Sequence, residues 1–442
     1  MPRRSQLTDS LLNSTNPFKS ASWLMGEKIT AVGINLFVTW LLARYLLPSG
    51  FGQLSYLMAL VTLVTPLLTL GLNSIISREV LRRPDDVHEI MGTAVALRLL
   101  SALIFTPVAI ILGFVYLGEG LQVFFAVLML SSIANAAYVI DFWMQAQLAN
   151  HAAAIIRLAS LLIFSVARIL AIKFDASLAV FVYLAGLEML ALGLLYLFAY
   201  HRLSGGLRIL KISMSESKRL LMGSRWLLIS GIAAVIYLKI DQVMLGLMIG
   251  ERAVGIYAVA ARISEVWYFI PAAIAVSVFP RLTKQREANR AIYGLELQQI
   301  NDFLFCSGLL IAAIVTLLSD GLVLVFGETY AESVPILVTH VWAGVFVFMR
   351  ALLSKWLIAE DLLKLSMLSQ VLGALVNIIL NLKLIPVYGP VGAAYATLIS
   401  QAVAGYLVLF LHRDLWPMAM VVTRSIFLPI RLAQKGRGLY RN

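Results

Sequence analysis

Cysteine is almost absent from this chain. Cys306 is the single one in 442 residues, which excludes an intramolecular disulfide and any cysteine metal cluster. Charge is scarce as well: Asp, Glu, Lys and Arg make up 13% of the residues, against about 25% in a soluble domain. No hydrophilic connection exceeds about 25 residues, so there is no room for a soluble catalytic domain. The motifs of common enzyme chemistry are missing too. The sequence holds no Walker A loop, no GxGxxG opening a helix after a strand, no HExxH and no CxxC. His88, His151, His201, His340 and His412 are scattered and read as loop or helix-end residues, and no Ser-His-Asp set forms. The expectation is a protein that is not an enzyme and needs no metal or cofactor. Any energy it uses would come from an H+ or Na+ gradient, the membrane potential or removal of product on the far side.

What the chain has is apolar surface: 61% hydrophobic residues and a mean hydropathy of +0.89. A lipid solvent demands this, because one charge at the centre of a spanning helix costs about 2.5–3.5 kcal/mol. A spanning helix needs about 20 mostly apolar residues. Twelve segments qualify: 18–43, 51–76, 91–115, 121–140, 154–173, 178–200, 224–248, 253–279, 299–318, 334–355, 364–384 and 391–411. The first is too long for a signal-peptide core and lacks a small-x-small exit, so no cleavable signal is expected. The net charge of +12 would suggest nucleic acid in a soluble protein. Here it reads as topology instead, with no nucleic-acid partner. With the N-terminus in the cytoplasm, twenty-three Lys and Arg residues fall in inside connections and tails, and four (Arg44, Lys173, Arg252 and Lys383) fall outside. That asymmetry sets both termini inside and an even helix count; ten or fourteen keeps the same parity as twelve.

Three landmarks recur at an offset of 203: Trp23 and Trp226, Gly52 and Gly255, Arg78 and Arg281. Each pair sits at the same topological place, which suggests two parallel six-helix halves related by an axis along the membrane normal. The expected organisation is an N-terminal lobe over 1–200, a basic linker over 201–223, a C-terminal lobe over 224–411 and a basic tail over 412–442. The fold class is therefore all-α, with about twelve transmembrane helices in two six-helix lobes around a central cationic cavity.

Ionisable residues at membrane depth are costly and so are functional candidates. The cations are Lys28, Arg98, Arg157, Arg168, Arg225, Lys239, Arg262 and Arg350; the anions are Glu27, Asp141, Glu188, Asp241, Glu265 and Asp302. The surplus is positive, which suits an anionic substrate, and Arg matches phosphate in a bidentate way. Lys28, Arg98, Arg168, Lys239, Arg262 and Arg350 are the candidate substrate-binding residues; Glu27 and Asp241 are the candidates for ion coupling. Competing readings stand beside these. Lys28, Arg225 and Asp141 lie near helix ends and can snorkel to the interface, Arg157 can be an end anchor, and the deeper Arg and Lys residues can be structural pairs. Trp267, Tyr268, Trp342 and Trp356 read as belts or packing, and the methionines as filler.

Several stretches resemble a known family. Asp241-Gln242-Val243-Met244-Leu245-Gly246, then Val254-Gly255-Ile256-Tyr257-Ala258-Val259-Ala260-Ala261-Arg262 and Phe279-Pro280-Arg281-Leu282, are similar to the polysaccharide-exporter branch of the multidrug/oligosaccharidyl-lipid/polysaccharide (MOP) superfamily, the Wzx-type O-antigen and exopolysaccharide flippases. Leu41 to Pro48 with Phe51-Gly52-Gln53 looks like that family's first outer turn, and Asn377 to Thr397, with Asn381, Pro386, Tyr388, Gly389 and Gly392, like its C-terminal region. Leu47 departs from the pattern, where Gly before the Pro is commoner; in an exposed turn this is expected to matter little. The resemblance covers nearly the whole chain and implies an alternating-access flippase. It would carry an undecaprenyl-pyrophosphate-linked oligosaccharide from the inner to the outer leaflet of the bacterial cytoplasmic membrane, beside membrane lipids, a polymerase and a chain-length regulator. A lipid II flippase or a cation-coupled drug exporter is the alternative within the superfamily, though a drug exporter should have an acidic cavity. A membrane glycosyltransferase or polymerase would need the long outer loop that this chain lacks.

Overall fold

A computed structural model describes residues 17–147, 149–204, 211–428 and 431. Arg3, Arg4, Arg208, Lys435, Arg437 and Arg441, counted above among the inside cations, lie outside the described residues, as do the side chains of Lys19 and Trp23. Among the described residues there is helix and turn and no strand. Ten helical stretches among the described residues are long and apolar enough to cross a membrane. Many of their apolar side chains face outward, including Leu103, Ile111 and Val115 on one helix and Ile163 and Val166 on another. Outward apolar surface on this scale needs lipid rather than water as its solvent. The chain is an all-α, multi-pass membrane protein.

Two of the ten stretches are double-length. Helix α1 (Pro17–Thr69) has 53 residues and a non-helical break at Leu47. Unbroken it would run about 80 Å, far beyond the roughly 30 Å of a bilayer core. The late helix Leu363–Gly405 has 43 residues and breaks at Gly389. Each is two apolar spans joined at a kink next to proline, Pro48 in one and Pro390 in the other. Counted on both sides of these breaks, the ten stretches fit the twelve segments expected from sequence.

The chain divides into two compact units, Met1–Lys239 and Ile240–Asn442. In the first unit α1 is followed by α2 (Asn73–Arg82), α3 (Val87–Tyr116), α4 (Leu121–Ser131), α5 (Val139–Ala146), α6 (Asn150–Lys173), α7 (Leu178–Ser204) and the greater part of α8 (Met214–Met248). Helix α8 begins inside the stretch 201–223 read from sequence as a linker. A tight core of Leu72, Ile76, Ile90, Met91, Trp143 and Tyr200 knits α2, α3, α5 and α7 together, with the Trp143 and Tyr200 rings in edge contact at 4.8 Å.

The start of α8 is clamped to the α2–α3 turn. Arg83 donates to Glu216 at 2.6 and 3.0 Å and to Glu79 at 3.4 Å, and Arg219 donates to Glu79. The Lys211 amide donates to the His88 carbonyl at 3.2 Å, and the Ser213 amide to Thr93 Oγ1 at 3.1 Å. Gly92 permits this close approach, since a Cβ there would collide with the Lys211 carbonyl. Burial pushes the Glu79 carboxyl up, but hydrogen bonds and charge from Arg219 and Arg78 outweigh it and hold it below its ordinary value. The Glu216 hydrogen bonds raise Arg83 against the opposing effect of burial.

The second unit contains the end of α8, then α9 (Glu251–Glu265), α10 (Phe269–Ala288), α11 (Arg290–Leu317), α12 (Gly321–Phe326), α13 (Ser333–Ala359), α14 (Leu363–Gly405) and α15 (Trp416–Ile426). Asn289 caps α11, its side chain accepting from the Ala291 and Ile292 amides. Helix α14 folds back on itself at Gly389. Asn381 and Thr397 would be about 24 Å apart on a straight helix, yet both donate to the Asp241 carboxylate at 2.5 Å. The returning arm passes so close that a Cβ on Gly392 would collide with the Leu384 carbonyl.

The offset of 203 reappears in the backbone. Leu47 has φ 58° and Gly250 has φ 119°, each at the break between the first two spans of its half. Helices α3 and α11 begin at Val87 and Arg290, again 203 apart.

Candidate functional site

Each unit carries its own polar cluster at membrane depth. In the first unit Arg157 on α6 reaches α1 and α5. Its Nε and Nη2 donate to the two oxygens of Glu27 at 2.9 and 2.6 Å, and its Nη1 donates to Asp141. Gln145, one turn on, donates to the other Asp141 oxygen at 2.9 Å. Helix register explains the meeting. Tyr45 donates to the Ala176 carbonyl at 2.9 Å, so α1 advances from Glu27 to Tyr45 while α6 and its turn advance from Arg157 to Ala176. The two elements run parallel through the bilayer. Two carboxylates share one guanidinium in this triad. Fork-shaped pairing of this kind is strong in a low dielectric.

Arg98, on α3, is 1% exposed. It donates to Asn73 Oδ1 and to the Asn135 carbonyl at 3.4 Å. Among the described residues its partners are neutral, and its Nε has none. Arg168 on α6 pairs with Glu188 on α7 at 2.5 Å.

In the second unit the centre is Asp241, 3% exposed near the end of α8. Its Oδ2 accepts from Tyr257 Oη at 2.8 Å and from Thr397 at 2.5 Å, and its Oδ1 accepts from Asn381 Nδ2 at 2.5 Å. Asn381 Nδ2 also donates to Asn377 Oδ1 at 3.1 Å, and Asn377 donates to Ser400 at 3.3 Å. Among the described residues no Lys, Arg or His pairs with Asp241. Asn381 Oδ1 is buried with no partner. A buried carboxylate without a counter-charge costs several kcal/mol, and a proton or a small cation removes that cost. The donor set suits either. Carboxylate, amide and hydroxyl oxygens are ligands for hard cations, and a half-turn of the Asn381 amide swaps its donor for its open acceptor. No group of three or more His, Cys, Asp or Glu able to hold a metal occurs among the described residues.

His340 also belongs here. It is not at a helix end, as read from sequence, but two turns inside α13 and 3% exposed. Its ring meets Tyr257 edge-on at 5.8 Å, and its Nδ1 lies 2.5 Å from Ser264 Oγ. The sequence carried no sign of this, because both of these partners of the histidine come from α9, at least 76 residues away.

The remaining candidates take separate places. Lys28 and Arg262 are exposed, and Lys239 is half-buried at the unit boundary. Arg350 on α13 donates to the Ala404 carbonyl at 2.6 Å and to Ser369 at 3.3 Å, tying α13 to both arms of α14. Glu27 is brought together with Arg157 and Asp141, and Asp241 with Tyr257, Asn381 and Thr397. Arg98, Arg168 and Arg350 each serve a different partner set. Sequence reasoning overlooked Asn381 as a partner of Asp241, and Asn377 as the residue behind it. Their signal was two amides four residues apart in an apolar helix, which stack on one face.

A family model described as "Polysaccharide biosynthesis protein" matches residues 18–285. Among curated proteins, the "Probable flippase AglR" of Haloferax volcanii is 31% identical over 182 residues, 39% of this chain and 37% of that protein. The chain thus spans well under half the length of this curated relative. Among solved structures, an inward-facing multidrug resistance MATE family transporter of the MOP superfamily superposes with a TM-score of 0.68 at 15% identity, over 91% of this chain and 98% of that one. The lipid II flippase MurJ, in an inward closed conformation, gives 0.66 at 14% identity, over 95% and 93%. At these identities the two structures speak for the fold.

Proposed function

Because the chain belongs to the polysaccharide biosynthesis protein family, we propose that it is a flippase for a lipid-linked oligosaccharide, working by alternating access of two lobes. The observation that carries this reading is the similarity to a probable flippase on a fold shared with transporters. The substrate is a saccharide on a polyprenyl pyrophosphate, of the undecaprenyl type in a bacterial cytoplasmic membrane, taken from the inner to the outer leaflet. Both termini lie in the cytoplasm, and a polymerase and chain-length regulator act on the product. The lobes are the six-helix stretches 1–200 and 224–411, and the substrate site is a cationic cavity. Lys28, Arg98, Arg168, Lys239, Arg262 and Arg350 are the cations assigned to it, with Arg98 and Arg168 released from their present partners when access changes. Asp241 supplies the coupling site for H+ or Na+, supported by its burial with no Lys, Arg or His partner among the described residues. Glu27, held by Arg157, is the second candidate.

Proteoliposomes separate this reading from its rivals. A fluorescent lipid-linked oligosaccharide should reach the far leaflet at least tenfold faster with the protein than without. Transport of lipid II alone, or of a lipophilic cation alone, would replace the proposal with one of the other two activities.

A further inference from the structure

The second unit contains a cavity of about 910 Å³ where α11 begins, α13 ends and α15 lies. Its size falls within the roughly 300–1,000 Å³ of small-molecule sites. Four arginines, Arg290, Arg413, Arg424 and Arg431, line it against two carboxylates, Glu360 and Asp414. Two of the four are committed. Arg290 donates to Glu360 at 3.1 Å, sharing it with Arg286, and Arg431 is held by Asp302 at 3.2 Å. The guanidinium groups of Arg413 and Arg424 are exposed and have no partner among the described residues. Gln298, on the same wall, gives its amide N–H groups to Asp302, the Val421 carbonyl and Ser425, at 2.7, 3.1 and 3.1 Å. That fixes the amide and leaves its buried Oε1 without a donor. The site therefore offers two free guanidinium forks, which match phosphate, and one acceptor for a hydroxyl.

The helix over this cavity is two-faced. Met418, Ala419, Val422 and Ser425 of α15 are buried, and Ser425 accepts from Asn301 at 2.8 Å. On the opposite face Trp416, Met420 and the following Phe427 are 50%, 55% and 51% exposed. They lie in one stripe at helical spacing, with Arg424 between them. An apolar stripe edged by Arg and opened by Trp is the pattern of a helix lying in the membrane interface.

We propose that this cavity seats the phosphate headgroup of an anionic bilayer lipid, with Arg413 and Arg424 on the phosphate, a headgroup hydroxyl on Gln298, and the acyl chains along the Trp416–Met420–Phe427 stripe. A free phosphate would use the guanidinium groups but not the stripe. The proposal does not depend on what the protein transports.

Native mass spectrometry of the full chain released from detergent, titrated with phosphatidylglycerol and with phosphatidylcholine, tests it. The first equivalent of phosphatidylglycerol should bind about tenfold more tightly than phosphatidylcholine. The double variant Arg413→Gln/Arg424→Gln should lose most of that preference. Lys284→Gln, which removes an exposed charge outside the cavity, should keep it. Three results would overturn the site: no preference in the parent, preference retained in the double variant, or an equal loss in Lys284→Gln. Displacement of the lipid by millimolar inorganic pyrophosphate would also overturn it, assigning the cavity to a soluble anion instead.

Discussion

Leu47 holds φ 58° and ψ 173°, a region of backbone space close to glycine-only. Such a residue carries strain of about 1–3 kcal/mol, and Gly250, which stands 203 residues on at the matching break, carries none. The departure from the family pattern at Leu47 therefore matters more than its exposure suggested. Leu47→Gly should relieve the strain, less about 0.5–1 kcal/mol for the added freedom of the unfolded chain. The net expectation is a rise of about 2 °C in the melting temperature in detergent; an unchanged or lower value would show that the turn is relaxed with leucine. The charges at depth were legible from sequence because each is an exception in an apolar run. Their partners were not. Arg157, which sequence left as a possible end anchor, holds Glu27 from 130 residues away, and nothing local to either residue encodes that meeting. Asp241 was singled out as a charge, whereas its setting of Tyr257, Asn381 and Thr397 comes from helices that converge only in the fold.

Elements were legible where apolar length defined them and not where polar contacts did. The ten apolar stretches are consistent with the expected spans, but α8 starts ten residues before the span expected at 224–248 because ion pairs, rather than lipid, hold its first turns. Helix α15 lies in a stretch read as a basic tail, because its 11 residues are too few to cross a bilayer. The clamp between α2 and α8 makes its own prediction. Glu79 sits below its ordinary value when folded, so its ion pairs add stability that is present above the unfolded value of 4.5 and lost as pH falls through the folded value. Glu79→Gln should lower the melting temperature near neutral pH by about 3 °C and flatten its decline below pH 4.5. A parallel decline in both proteins would place the acid sensitivity elsewhere.

At the scale of the whole molecule, two backbone features echo the offset of 203 first seen in the sequence: the breaks at Leu47 and Gly250, and the starts of α3 and α11 at Val87 and Arg290. The offset was visible early because turn and interfacial residues stand out from apolar filler. How charge is used was not visible, since a surplus of cations counts residues and not their neighbours. Arg157 and Arg168 are matched by carboxylates, Arg98 is buried on neutral acceptors, and Asp241 has no cationic partner among the described residues. The proposed coupling of transport to an ion at Asp241 rests on that arrangement. The decisive measurement is the rate of lipid-linked oligosaccharide translocation in proteoliposomes under an imposed Na+ or H+ gradient, for the parent and for Asp241→Asn. The parent should accelerate with one of the two gradients, and Asp241→Asn should lose about tenfold or more of that acceleration while inserting normally. Translocation no faster than in protein-free vesicles, or an identical gradient response in the two proteins, would contradict it.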